Sequence, residues 1–162
     1  MGTQPNPAEV QEMIDKMAIG ELQSRYMYAL DWYDADAYAG VFTEDGVLEW
    51  PEGSCKGRKA IFEACVKIGA FYNKLAEGSA PTKPARKRHF VTNRVITING
   101  DRAHAVSYWF DLFNDNMGRI PYVPAYGHYD DELIRTPEGW RFKSRMIYNE
   151  IAGTSPKENP AR

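Results

Sequence analysis

The sequence predicts an α+β fold: a cone-shaped, curved antiparallel sheet packed against three N-terminal helices and enclosing a ligand pocket. Three observations point there. Apolar residues recur at helical spacing through the first half of the chain. After Arg88 the pattern changes to long stretches rich in β-branched and aromatic residues. Between two of these stretches stands Asn99-Gly100, a strong short-range hairpin signal. The chain has 162 residues, the size of a single domain. Its core is expected over about 8–151, with loose tails at 1–6 and 152–162.

The first helix starts where Asn6 can cap, Pro7 fits the first helical position and Glu9 can reach back to the cap. Its expected apolar stripe is Val10, Met13, Ile14, Met17, Ala18, Leu22, Tyr26, Ala29, Leu30 and Tyr33. Gly20 weakens it by about 1 kcal/mol relative to alanine, and a bend is expected there. Asp34 can cap a short second helix over Ala35–Phe42. Residues 43–46 read as a turn, Val47–Trp50 as a short strand, and Pro51-Glu52-Gly53 as its end. A third helix is expected over about Arg58–Ala76, followed by a Pro- and Lys-containing loop to Lys87. Strands follow at Arg88–Ile98, Asp101–Asn114, Ala125–Thr136 and Trp140–Ile151, joined by turns at Asn99-Gly100, 115–118 and 137–139. A sheet with one face to bury curls over the helices, and the mouth of the resulting cone is where a ligand fits.

Composition narrows the function. Ten tyrosines, seven phenylalanines and four tryptophans suit an apolar pocket with a few polar tips. A net charge of −2 gives no electrostatic reason to expect nucleic acid. No apolar run approaches the roughly 20 residues of a membrane helix, and the first residues lack a signal-peptide pattern. Two cysteines, Cys55 and Cys65, do not form a disulfide framework, so the expected setting is cytoplasmic. The sequence contains no His-Glu-x-x-His, Cys-x-x-Cys, Gly-x-Ser-x-Gly, phosphate loop or dinucleotide fingerprint. A site without metal or cofactor is therefore expected. The basic cluster Lys83, Arg86, Lys87 and Arg88 reads as a solvated loop.

The chemistry-bearing stretch is Arg88–Ile98, which opens with a histidine where a strand would ordinarily carry an apolar residue. An imidazole is the side chain whose unperturbed pKa sits near neutrality. A carboxylate on one ring nitrogen would fix its tautomer and leave the other nitrogen to take a proton. By spacing alone, the favoured reading is His89 as a satisfied strand histidine and Asp31 as a solvated helix-end group. Tyr28 shares a helix face with Asp31, three residues on, while Tyr26 lies farther round. Asn93 shares the strand parity of His89 and is expected to face the same cavity. Trp50, Phe71, Tyr108, Tyr129 and Asp131 complete the expected substrate-binding set, with Asp111 on a later strand within reach of the mouth. Arg145 reads as structural, an ion-pair partner.

The order of elements, together with Ala29-Leu30-Asp31, Phe42-Thr43-Glu44-Asp45-Gly46, Gly57-Arg58-Lys59-Ala60-Ile61, the run from Arg88 to Ala103, and Gly139-Trp140-Arg141-Phe142 with Arg145, resembles the SnoaL-like branch of the nuclear-transport-factor-two-like superfamily over about residues 10–150. Among its members the chain is most similar to the scytalone, bile-acid and hexachlorocyclohexane eliminating enzymes. The resemblance implies Asp31 as orienter of His89, and Tyr26 at the place of a helix tyrosine of the bile-acid enzyme. Trp50 stands where some relatives carry a tyrosine. The implied function is a cofactor-independent lyase acting on a small hydrophobic, aromatic or polycyclic alcohol. It would work by dehydratase-type elimination or by formaldehyde-releasing cleavage, with His89 as base and Tyr26 or Tyr28 as hydrogen-bond donor. The fold also hosts non-catalytic binders, double-bond isomerases and the small subunits of aromatic-ring dioxygenases. By the same resemblance a homodimer or homotrimer is expected, with no nucleic-acid or membrane partner.

Overall fold

The computed structural model describes residues 6–77, 86–153 and 158–162, the side chains of 75–77 excepted. In chain order the elements are α1 (Pro7–Trp32), α2 (Ala35–Gly40), β1 (Phe42–Trp50), β2 (Gly53–Lys56), α3 (Arg58–Glu77), β3 (Lys87–Asn99), β4 (Arg102–Phe113), β5 (Tyr126–Thr136) and β6 (Gly139–Asn149). A 3₁₀ turn at Glu150–Ala152 follows. The helices lie against one six-stranded sheet of order β2-β1-β6-β5-β4-β3. No helix among the described residues is long and apolar enough to cross a membrane.

Local chemistry sets the helix ends. The Asn6 side chain accepts the Ala8 N–H at 3.0 Å, and Asp34 accepts the Ala37 N–H at 3.0 Å at the start of α2. Tyr33 closes α1 in the left-handed conformation at φ 55°. Gly20 does not interrupt α1, which runs unbroken.

The buried face of α1 differs from the expected stripe. Asp15, Ile19, Leu22, Gln23, Tyr26 and Ala29 point inward, while Val10, Met13, Ile14 and Met17 are exposed. The reason is specific pairing from the sheet. The Asp15 carboxylate accepts from the Arg135 guanidinium at 2.7 Å on both oxygens and from the Trp140 indole at 3.1 Å. Gln23 donates to Asp131 at 3.0 Å and accepts from Arg94 at 2.8 Å. A polar residue that finds such partners is buried as readily as an apolar one.

The sheet is mixed, not purely antiparallel: β1 runs parallel to β6, and its other pairs are antiparallel. β1 covers the edge of β6 that β5 leaves open, and an uncovered edge is a liability. The expected turn at 43–46 is part of β1, with an irregularity between Phe42 and Val47. Gly46 permits it, since a Cβ there would stand 2.8 Å from the Phe42 Cβ. β2, a short hairpin partner of β1, was not expected; Trp50 pairs with Gly53 across Pro51-Glu52.

β3 carries the feature that shapes the site. Its register with β4 slips between Thr92 and Val95, and Asn93 there has φ 52°. This is a one-residue bulge, and it reverses which side each later residue faces. His89 and Val91 face inward before it; Ile96 and Ile98 pack on the core after it, while Val95 is exposed.

Candidate active site

β3 opens the site. Lys87 and His89 are its first inward-facing residues, two apart on the same side of the strand. Directly across on β4, Asp111 is the register partner of His89. The last turn of α1 brings in Asp31, with its side chain 6% exposed against 13% for His89. His89 Nδ1 lies 2.6 Å from Asp31 Oδ1. The same carboxylate accepts the His89 backbone N–H at 3.0 and 3.2 Å. Asp31 therefore holds both the ring and the strand that carries it. With Asp31 ionised, the ring proton sits on Nδ1, because a carboxylate only accepts. In the neutral ring Nε2 keeps its lone pair; it lies 3.9 Å from Asp111 Oδ2, beyond hydrogen-bond reach.

Asp111 is fully buried. Its Oδ1 accepts the Ala125 N–H at 3.1 Å, and its Oδ2 lies 2.6 Å from Lys87 Nζ. The lysine also donates to the Tyr72 hydroxyl at 3.3 Å and lies 5.3 Å from the centre of that ring. Burial works against the Lys87 ammonium, but hydrogen bonding and charge from Asp111 outweigh it and hold its pKa above the ordinary lysine value. A groove of about 350 Å³ between α1 and the edge strand β3 reaches the dyad; Asp31, His89, Met27, Tyr28, Trp32 and Arg94 are among its walls. Among the described residues no three His, Cys, Asp or Glu side chains are grouped to hold a metal ion.

This arrangement of helices and strands has relatives. The family model for the SnoaL-like domain matches residues 11–146. The chain belongs to the SnoaL-like family. This SnoaL-like protein is similar to an uncharacterised protein of Mycobacterium tuberculosis strain H37Rv, 26% identical over 140 residues, which are 85% of this chain and 86% of that one. Its structure resembles that of a Mycobacterium tuberculosis protein of unknown function, with TM-score 0.75 at 24% identity, covering 97% of this chain and 85% of that one. A nuclear-transport-factor-two-like protein of Novosphingobium aromaticivorans with a cystatin-like fold gives TM-score 0.71 at 25% identity, covering 86% and 84%. Another protein of that organism, provisionally named a scytalone dehydratase, gives TM-score 0.69 at 22% identity, covering 85% of each chain. These likenesses establish the fold.

The SnoaL-like site gathers only part of the residues expected from the sequence. Tyr26 is fully buried, and its hydroxyl is 2.8 Å from that of Tyr38. Burial, eased by the nearby Arg145, raises its pKa, so it is held as a phenol in the core. Tyr28 is 70% exposed and stacks on Trp32 along the outer groove. Trp50 packs against the core at the end of β1. Tyr129 and Asp131 are buried on β5, where Asp131 pairs with Arg145 at 2.7 Å through both oxygens. Arg145 is thus the structural ion-pair partner that the sequence suggested.

Three expected cavity residues face elsewhere. Asn93 is exposed because the bulge turns it out, and it accepts the Thr92 hydroxyl at 2.8 Å. Tyr108 points to the outer face of the sheet, 53% exposed, and Phe71 to the outer side of α3, 61% exposed. Nor is the basic cluster simply a solvated loop. Lys87 is the first residue of β3 and faces inward, and Arg88 lies 4.0 Å over the Trp32 ring; Lys83 falls outside the described residues. The strand was expected to begin at Arg88, so its parity with His89 did not reach Lys87. Cys65 is buried, and burial pushes its thiol up to about 11, which leaves little thiolate for nucleophilic chemistry.

Proposed function

We propose that this SnoaL-like protein is a cofactor-independent lyase acting on a small hydrophobic, aromatic or polycyclic alcohol. The observation that carries the reading is the 2.6 Å contact between Asp31 and His89 Nδ1, with Nε2 3.9 Å from Asp111 Oδ2 and without a hydrogen-bond partner among the described residues. Nε2 removes a proton from a carbon of the substrate, and Asp31 stabilises the imidazolium that forms. The electron pair of the broken C–H bond forms the new double bond as the neighbouring hydroxyl leaves, taking the imidazolium proton to depart as water. Where the carbon next to the carbinol bears a hydroxymethyl group, removal of that group's O–H proton instead turns its C–O bond into the C=O of formaldehyde as the C–C bond breaks; the C–C electron pair forms the new double bond, and the carbinol hydroxyl leaves with the imidazolium proton as water. Membership of the SnoaL-like family, with structural likeness to a protein provisionally named a scytalone dehydratase, supports the dehydrating course.

The test is turnover of a panel of aromatic and polycyclic alcohols by wild type, His89→Gln and Asp31→Asn. Loss of about 10²–10⁴-fold in kcat in the His89 variant, with its fold intact by circular dichroism, is the expected result. Full turnover by His89→Gln would end the lyase reading. A non-catalytic binding protein is the second reading. It is favoured by one observation: the Tyr26 hydroxyl is taken up by Tyr38, and Tyr28 lies on an exposed helix face. That reading expects ligand binding with no conversion by wild type and little change in affinity in Asp31→Asn.

A further inference from the structure

We propose that the face of the sheet turned away from the helices carries a second binding site, for a small organic ammonium ion that bears N–H groups, an alkyl- or arylalkylammonium. This site is separate from the Asp31–His89 pair, which lies on the other face of the sheet.

Strand alternation builds it. Tyr129 and Asp131 of β5 point into the core, so Tyr126 and His128 point to the outer face. The register sets Tyr108 of β4 and Tyr148 of β6 on either side of His128, and Phe110 of β4 beside Tyr126. Residues opposite one another on adjacent strands stand about 5 Å apart, and residues two apart along a strand about 7 Å. Tyr108, Phe110, Tyr126 and His128 thus mark the corners of a patch on which an ammonium head and its substituent fit. A cavity of about 650 Å³ opens there, and Glu158, Asn159 and Pro160 near the C-terminus complete its wall.

His128 is the side chain that points to a ligand. Although it stands on the outer face, it is only 1% exposed. Its ring stacks on that of Tyr148, with centroids 4.4 Å apart and planes 8° from parallel. Nδ1 lies 3.1 Å from Glu150 Oε1. An ionised carboxylate only accepts, so in the neutral ring the proton sits on Nδ1 and Nε2 keeps its lone pair. Among the described residues Nε2 has no hydrogen-bond partner, and His128 is part of the cavity wall. A nearly buried acceptor calls for a donor.

The walls select the charge of that donor. Glu150 and Glu158 both border the cavity, and among the described residues of its wall there is no Lys or Arg. Two carboxylates repel an anion and attract a cation. The rings of Tyr108, Phe110 and Tyr126 present faces that favour a cation as well. A metal ion is a poorer match, because among the described residues no three His, Cys, Asp or Glu side chains are grouped to hold one. An organic ammonium satisfies every wall at once. One N–H donates to His128 Nε2, the charge faces Glu150 and Glu158, and the hydrocarbon part lies on the aromatic rings.

Calorimetric titration of the full chain with benzylammonium tests this, with benzyltrimethylammonium and benzoate as comparisons. Wild type should bind benzylammonium. Benzyltrimethylammonium, which has no N–H, should bind about tenfold more weakly, and benzoate should not bind. Tyr126→Leu and Glu150→Gln should each weaken benzylammonium binding by about five- to tenfold, while His89→Gln should leave it unchanged. Tyr126 is half exposed, so its variant carries the test should Glu150→Gln fold poorly. In amide NMR spectra the probe should shift residues 108–110 and 126–128. No binding by wild type, equal affinity for benzoate, unchanged affinity in Tyr126→Leu, or shifts confined to residues 88–91 overturns the proposal. So does a wild-type oligomer that binds no benzylammonium and that Tyr126→Leu dissociates in sedimentation, since a second copy of the chain would then cover this face.

Discussion

At the scale of single residues, Asp31 and Lys87 show two uses of buried charge. Asp31 binds the imidazole and the backbone N–H of the same residue, so removing it loosens the strand as well as the ring. Asp31→Ala should therefore lower stability by about 1–3 kcal/mol, while His89→Gln should leave it almost unchanged; urea unfolding of the two variants separates these effects. Lys87 carries a pKa raised by Asp111 despite burial. The folded state then keeps a proton that the unfolded chain releases near pH 10.4. This stabilising contribution is complete below that pH and disappears as the pH rises through the folded value. Unfolding free energies measured from pH 9 upward should decline in wild type with a component absent from Lys87→Met. Of these residues, His89 and Asp31 were legible as a pair because their residue types and positions match a family. Lys87 was not, because a basic run before a strand looks the same whether its members face solvent or the interior.

At the scale of elements, the bulge in β3 decides the site. The alternation of β-branched residues reads as one continuous face, and that reading put Asn93 beside His89. The extra residue reverses the phase, so the strand serves two surfaces: the dyad before Asn93, and packing through Ile96 and Ile98 after it. A left-handed φ is unfavourable for a β-branched residue, so Asn93→Val should cost about 1–2 kcal/mol, while Asn93→Gly should be tolerated; thermal unfolding checks both. Helix α1 is pinned to the sheet in a comparable way. Hydrogen bonds from Arg135 lower the Asp15 pKa; burial opposes them, and the Trp140 indole adds to the lowering. The stabilisation is present above the ordinary carboxylate range and is lost as the pH falls through the depressed value. Asp15→Asn should therefore be less stable than wild type by about 1–3 kcal/mol near neutral pH, and the gap should close in acid, as urea unfolding at the two pH values would record.

At the scale of the whole molecule, the interior is organised around a charge. Arg145 is fully buried, paired with Asp131, with its guanidinium 4.1–4.2 Å from the ring centres of Tyr26, Tyr129 and Phe142. Gln23 and Arg94 extend the network from Asp131 through α1 to β3. It joins α1 and β3, the two elements that carry Asp31 and His89. Arg145→Ala should destabilise by about 3–5 kcal/mol, because it leaves Asp131 buried without its cation; replacing both by apolar residues of similar size should cost much less. Chemical denaturation of the single and double variants measures the difference.

The sequence by itself determined the order of the helices and the long strands, the helix caps, the Asn99-Gly100 hairpin and the family, because these depend on neighbours in the chain or on residue types at fixed spacing. The tertiary structure alone decided which face of α1 is buried, where β3 changes phase, that β1 runs parallel to β6, and that Lys87 turns inward to Asp111. Each of these depends on a partner distant in the chain. A polar side chain is buried or exposed according to whether that partner meets it, and hydrophobic periodicity carries no record of the meeting.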